Sequence, residues 1–189
     1  MKYSRLILSL TIVCLLLSTV ACGAPEPIIE TSAGEMNFTA EDLGPEWSME
    51  SEQGLSDMME EIPDHARDAN VRSFIANDPL RVFVGMTIST KSVASAKSEM
   101  KGAFVQDILT SLQDMGSGGT FEEMAAPEIG DETIMVGGNT TVSGVAMDAY
   151  ALTFRKANVI AMVFLLGPGE FANEENATDY AQELEARIQ

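Results

Sequence analysis

The chain has 189 residues, with 11 basic and 29 acidic side chains and a formal net charge of −18 at pH 7. Such a surface repels the phosphates of nucleic acid, which need a basic footprint, so nucleic acid is excluded as a partner. Hydrophobic residues make up 46% of the sequence, which excludes a wholly disordered chain.

The first 21 residues are predicted to be a secretory signal. Lys2 and Arg5 give a positive start, and Leu6 to Val20 then runs for 15 residues without a charge. This run is shorter than the roughly 20 residues that a helix needs to cross a bilayer, and it contains serines and threonines. A cleaved signal therefore explains it better than a transmembrane anchor does.

The residues around the expected cleavage site carry a family resemblance. Ser18-Thr19-Val20-Ala21-Cys22 resembles the lipobox of bacterial lipoproteins, although leucine is commoner where Thr19 stands. The alternative is an ordinary signal with Cys22 as an incidental thiol. Because Cys14 lies in the removed segment, that alternative leaves one unpaired cysteine in an oxidising compartment. The resemblance implies a lipid on Cys22, which would anchor the protein to a membrane of the cell envelope and face it to the extracytoplasmic side.

The mature chain is predicted to contain one domain behind a tether. Residues 22–36 include a segment rich in Pro, Gly and Glu, which predicts a lipidated N-terminus followed by a flexible tether. Residues 37–189 suffice for a single domain with its own core. Removal of residues 1–21 leaves nine basic and 29 acidic side chains, so the domain is expected to stand off anionic headgroups.

The first predicted elements are short. Thr39, with an acidic residue three positions later, is expected to cap a helical turn that ends at Gly44. A strand should follow around Trp47 to Gln53. Gly54 to Asp68 is acidic and irregular, with a helical turn expected after Ser56.

The middle of the chain predicts a β-hairpin and a long helix. Val71 to Ala76 is expected to be a strand, and Leu80 to Ser89 alternates apolar and polar residues as a strand with one buried face does. Ser92 should cap a helix over Val93 to Met115, where apolar residues recur every three or four positions. A glycine-rich run at residues 116–119 should end this helix.

The C-terminal third predicts another hairpin and helix. A strand near Thr133 to Val136 is expected to end in a turn at Gly137-Gly138, and Val142 to Arg155 should pair with Val159 to Leu166. The last of these strands is apolar on both faces, which predicts a central position in the sheet. Asn176 or Thr178 should cap the final helix.

These elements predict an α+β fold in which an antiparallel sheet carries two long helices packed on one face. Val71 to Met115 and Tyr150 to Ile188 each run strand, turn, strand, helix. This echo suggests two β-β-α halves that share the sheet.

Two short stretches carry a second resemblance. They are Ile129-Gly130-Asp131-Glu132 and Phe154-Arg155-Lys156-Ala157-Asn158-Val159. With the predicted architecture, they make the domain similar to small sensor-type extracytoplasmic lipoprotein domains, including the extracellular domains of some actinobacterial receptor kinases. The paired cysteines common in those domains are missing here. The resemblance implies a sensing role and brings no active site with it.

Catalytic and metal-binding motifs are scarce. Ser98-Glu99-Met100-Lys101 matches the S-x-x-K pattern of penicillin-binding enzymes, but the S-D-N and K-T-G motifs of that chemistry are missing from the sequence. His65, the one histidine, could join carboxylates at a divalent metal or act as a proton switch, although an exposed histidine in an acidic loop is the simpler interpretation. We therefore predict no catalytic, cofactor or metal site.

An acidic arm is the candidate partner-binding region. Glu46 to Asp68 contains eight acidic residues and one arginine, and a patch of one sign attracts cationic ligands. The residues singled out are Glu60, Glu61, Asp64, His65 and Asp68. A basic protein, a basic peptide or a divalent cation is the expected partner, with a merely solvated acidic loop as the alternative.

Two functions follow from these observations. The favoured one is a non-catalytic binding, sensing or interaction module that is anchored to the membrane outside the cytoplasm. The alternative is a cell-envelope hydrolase whose active site is not recognisable in the sequence.

Overall fold

The computed structural model describes residues 27–58, 64–101, 110 and 119–189. The predicted signal and Cys22 lie outside these residues. So does most of the predicted helix beyond Lys101. Within the described ranges, no helix is long and apolar enough to cross a membrane.

The described chain contains seven strands and five helices. The helices are α1 (Ala33–Met36), α2 (Ala40–Leu43), α3 (Leu55–Met58), α4 (Val93–Lys101) and α5 (Glu174–Arg187). The strands are β1 (Ser48–Gly54), β2 (Ala66–Asn77), β3 (Leu80–Thr90), β4 (Thr120–Met124), β5 (Glu132–Val142), β6 (Val145–Lys156) and β7 (Val159–Gly167).

All seven strands form one antiparallel sheet in the order β1-β2-β3-β7-β6-β5-β4. The predicted α+β class and antiparallel sheet are therefore confirmed. β7 lies in the middle and eight of its nine residues are buried, as its apolar character on both faces predicted. The strand predicted over Leu80 to Ser89 is also confirmed, with Thr90 added at its end.

The main core lies on the face of the sheet that α5 covers. Val159, Ala161, Val163 and Leu165 of β7 point to this face and pack with the buried stripe of α5. The stripe consists of the predicted residues Ala177, Ala181 and Leu184, with Ile188 directly after the helix. An amphipathic helix on an apolar sheet face thus forms the centre of the domain.

The predicted packing of two long helices on one face is wrong. Ala96 and Met100 of α4 contact Ile160, whose side chain lies on the face opposite to that covered by α5. β3 and β7 are antiparallel neighbours, so a two-fold axis that exchanged the hairpins β2-β3 and β6-β7 would run perpendicular to the sheet. Such an axis does not exchange the two faces of the sheet. Symmetric halves would therefore carry both helices on the same face, whereas α4 and α5 lie on opposite faces. The two β-β-α segments consequently share only the order of their elements.

The strand predicted to end before a turn at Gly137-Gly138 instead continues through both glycines to Val142. The turn lies at Ser143-Gly144, and both of these residues have positive φ. The glycines serve close packing, because a Cβ at Gly138 would collide with the backbone carbonyl oxygen of Thr120. That carbonyl belongs to β4, an edge strand that the sequence did not predict.

Three further boundaries differ from the prediction. β2 begins at Ala66, inside the segment expected to be irregular. α5 begins at Glu174 and is capped by Asn173, whose side-chain oxygen accepts a hydrogen bond from the Asn176 backbone N–H at 2.9 Å. Asn176 and Thr178, the predicted caps, both lie inside the helix.

Residues 29–36 were predicted to be flexible tether, and this part of the prediction is wrong. Ile29, Ala33 and Met36 are buried, and the latter two begin and end α1. The Ala33 N–H donates to Asp68 Oδ2 at 2.7 Å, and Thr87 Oγ1 donates to the Ala33 carbonyl oxygen at 2.7 Å. Hydrogen bonds from distant residues thus hold a segment whose composition alone resembles a linker.

Asp42 joins this N-terminal segment to the end of α5. Its carboxylate accepts hydrogen bonds from the Thr39 backbone N–H at 2.7 Å and from Arg187 Nη1 at 2.9 Å, which confirms the predicted cap at Thr39. The Arg187 guanidinium, followed by the Thr39 N–H and hydroxyl, holds the pKa of the Asp42 carboxyl well below its ordinary value. Burial acts in the opposite direction and is outweighed.

We expect Asp42→Asn to lower the free energy of unfolding by about 1–2 kcal/mol at pH 7, because the neutral amide oxygen accepts more weakly from Thr39 and no longer pairs with the charge of Arg187. Since folding lowers this pKa, the stabilisation is complete above the ordinary carboxyl value of 3.8 and is lost as the pH falls below it. Urea unfolding of both proteins should therefore differ at pH 7 and converge towards pH 2. Glu41→Gln, on the same short helix, is the matched control, and equal losses in both variants would contradict the assignment.

Candidate ligand-binding site

The two stretches that suggested a sensor-type domain form one structural unit. The Asp131 N–H donates to the Arg155 carbonyl oxygen at 2.7 Å, and Asp131 Oδ2 accepts from Arg155 Nη1 at 2.7 Å and from the Ala157 N–H at 2.8 Å. Gly130 has a φ of +62°, and a Cβ there would collide with the Arg155 carbonyl. The turn before β5 is thereby fastened to the β6-β7 turn.

Arg155 is the buried charge of this unit, with 5% of its side chain exposed. Its Nη1 donates to Asp131 and to the Ala157 carbonyl oxygen at 3.0 Å. Its Nε is buried without a hydrogen-bond partner and lies 3.7 Å from Glu132 Oε2. A buried charge is tolerated only when it is paired, so Arg155 depends on Asp131.

Asn158, the second residue of the β6-β7 turn, binds the N-terminal segment. Its buried side chain accepts a hydrogen bond from the Ile29 N–H at 2.7 Å and donates to the Thr90 carbonyl oxygen at 2.9 Å and the Ile29 carbonyl oxygen at 3.3 Å. One amide thus joins the chain entering the domain, the end of β3 and the turn.

A pocket of about 700 Å³ opens at this end of the sheet. Its apolar lining comes from five side chains, those of Pro27, Ile29, Val93, Ala157 and Ile188. Its charged lining comes from Lys97, Lys156, Arg155 and Asp131. The carboxylates of Glu132 and Glu185 lie beside Arg155 and Lys156, so the charges at this end of the sheet are largely compensated.

Lys156 ties the pocket to the end of α5. Its Nζ donates to the Glu185 carbonyl oxygen at 3.0 Å and lies 3.6 Å from Glu185 Oε1. A cation at this point satisfies a helix C-terminal carbonyl and complements the helix dipole. The pocket therefore combines apolar walls with charged groups from α4, from β6 and from the turn before β5.

The predicted acidic arm is only partly within the described residues. Glu60 and Glu61 lie outside them, and Asp64 is exposed. His65 Nε2 lies 2.8 Å from Glu99 Oε1, while the Asp68 carboxylate holds the Ala33 N–H. Within the described part of the chain, no group of three or more His, Cys, Asp or Glu side chains could hold a metal ion. Partner binding by this arm stays a prediction.

No protein-family model and no curated protein sequence matches this chain. Its structure is similar to the extracellular domain of PknH from Mycobacterium tuberculosis, with a TM-score of 0.57, 11% identity, and coverage of 87% of this chain and 98% of that one. A protein of Mycobacterium smegmatis, the ortholog of Rv0999, matches with a TM-score of 0.43, 12% identity, and coverage of 78% and 92%. The first likeness shows a shared fold and agrees with the resemblance suggested by the sequence.

The sequence marked part of this site and missed the rest. The two motif stretches were singled out, and both line the pocket. Ile29, Val93, Lys97 and Ile188 were not assigned to it, because they come from three distant segments, with Val93 and Lys97 both on α4. An asparagine next to a hairpin turn was the one local signal that could have pointed to Asn158.

We expect Asp131→Asn to lower the free energy of unfolding by about 2 kcal/mol, because the buried Arg155 charge loses its anionic partner. Glu132→Gln removes a carboxylate that is too distant for a hydrogen bond and should cost less than about 1 kcal/mol. Guanidinium unfolding of both variants measures the difference. Equal losses would show that Asp131 does not carry the pairing.

Proposed function

We propose that the protein is a membrane-anchored, extracytoplasmic binding module that holds a ligand without chemically converting it. The signal-like N-terminus and the lipobox-like stretch ending at Cys22 support the anchor. The fold shared with the extracellular domain of PknH agrees with a place outside the cytoplasm.

The pocket between the β6-β7 turn, α4 and the N-terminal segment is the observation that carries the binding role. Its one carboxylate, Asp131, already accepts hydrogen bonds from Arg155 and from the Ala157 N–H. A carboxylate held in this way is poorly placed to take a proton from a substrate. Arg155 and Lys156 are also engaged, Arg155 with Asp131 and Lys156 with Glu185, so the pocket offers a ligand mainly its apolar walls.

The described chain begins at the pocket. Ile29 is fixed by Asn158 and lines the pocket, as does Pro27. Seven residue steps separate Cys22 from Ile29, which can span at most about 25 Å. A lipid on Cys22 would therefore hold the pocket end close to the membrane. The linker from Cys22 to the fixed residue Ile29 is shorter than the tether that was predicted over residues 22–36.

The anchor is tested by feeding cells an alkyne fatty acid. The wild type should be labelled and should sediment with membranes, because acyl chains on Cys22 supply the hydrophobic attachment. Cys22→Ala should lose the label and should be released or stay unprocessed. Cys14→Ala is the matched control and should behave as the wild type. Equal labelling of wild type and Cys22→Ala would contradict the proposal.

A further inference from the structure

We infer that the pocket binds an uncharged, largely apolar small molecule, which the domain takes from the surrounding water. The inference rests on the proposed function for the binding role of the pocket. It goes further because it assigns the chemical class of the ligand and explains how charged molecules are rejected.

The walls of the pocket are apolar and are held in place before a ligand arrives. Ile29, Val93 and Ile188 are each at most 9% exposed, and Pro27 and Ala157 add apolar surface beside them. Filling the space of about 700 Å³ between these residues removes apolar surface from water, which favours a ligand that was dissolved in water. Because the walls are already packed, little side-chain entropy is lost when the ligand binds.

Apolar surface continues beside the pocket. Ile28, which stands between the lining residues Pro27 and Ile29, is 42% exposed. The other large apolar side chains that are exposed in the described ranges, Met49 and Val145, do not line the pocket. An exposed isoleucine at this point therefore enlarges the apolar patch that a ligand can cover.

The charged groups of the lining are engaged with the protein itself. Arg155 Nη1 donates to Asp131 Oδ2 at 2.7 Å, and Lys156 Nζ donates to the Glu185 carbonyl oxygen at 3.0 Å. Lys97 also interacts with another group of the protein. A charged ligand would have to compete with these contacts and would leave a buried or half-buried partner unpaired, which is costly. An uncharged ligand leaves the contacts intact.

Molecules of either charge are at a disadvantage in this pocket. An anion is repelled by a chain whose net charge is −18. A cation meets the three cationic side chains of the lining, Lys97, Arg155 and Lys156, at short range. Charge therefore serves to exclude wrong ligands here, and the apolar walls supply the attraction.

The test uses the mature chain, residues 22–189, with Cys22→Ser, so that no lipid is attached and no membrane is needed. Three probes share a naphthalene body and differ in their polar group. Naphthylethanol is uncharged, naphthylacetate is an anion and naphthylethylamine is a cation at neutral pH. Titrations followed by two-dimensional amide NMR spectra give the dissociation constant of each probe and the amides that shift.

We expect naphthylethanol to cause saturable shifts of the amides of Ile29, Val93 and Ile188. Either charged probe should need at least about fivefold more for half-saturation, because it disrupts a paired contact or meets like charge.

A polar substitution in the wall tests the source of the attraction. Val93→Thr keeps the size of the side chain but adds a hydroxyl, and should weaken binding of naphthylethanol about fivefold. Val145→Thr, the same substitution at an exposed valine outside the pocket, is the matched control and should stay within about twofold of the wild type. Ile28→Ser and Met49→Ser form a second pair at exposed side chains, and only Ile28→Ser should weaken binding.

The outcomes separate the ligand class from the binding role. Tighter binding of a charged probe at the same amides would overturn the ligand class and leave the binding role standing. Absence of saturable shifts at these amides with all three probes would overturn both. Equal effects within either pair of variants would also overturn the inference, and thermal unfolding of each variant checks that the domain is folded.

Discussion

The hydrogen bonds between the Asn158 side chain and the backbone of Ile29 are the constraint on which the functional end of the molecule depends. The amide is fully buried, and its oxygen and nitrogen both find backbone partners in Ile29 and Thr90. Buried polar groups are costly when they are left unpaired, so the N-terminal chain has one favourable path past the β6-β7 turn. That path brings Pro27 and Ile29 to the wall of the pocket.

The same segment is then fixed along the sheet by further buried groups. Thr87 binds the Ala33 carbonyl oxygen, and the Asn37 side-chain nitrogen donates to Asn70 Oδ1 at 2.9 Å and to the Gly85 carbonyl oxygen at 2.8 Å. A network in which every member is paired stabilises one arrangement over its alternatives. Pro27, Ile29, the Asp131–Arg155 unit and the pocket consequently lie at one end of one sheet.

The sequence was informative where local pattern and tertiary environment agree. The alternation over Leu80 to Ser89 and the apolar run over Val159 to Leu166 predicted strands and their burial, because side-chain direction alternates along any strand. Predictions from the sequence were wrong where a residue distant in the chain determines the local conformation. Gly138 is set by the approach of β4, and residues 29–36 are ordered by Asp68, Thr87 and Asn158, which no local pattern reveals. Which face a helix covers is likewise a property of connections and not of its apolar stripe.

The most direct test is the stability of a chain that begins at Asn37 compared with one that begins at Pro27. If residues 29–36 are part of the core, their removal exposes the site of Met36 and leaves Asn158 without its Ile29 partners, at a cost of at least about 3 kcal/mol. The free energy of unfolding from urea titrations should show this loss, while the chain beginning at Pro27 should match the mature protein. Equal unfolding free energies for the two shortened chains would show that the N-terminal segment is a tether and that the pocket wall it forms is not part of the fold.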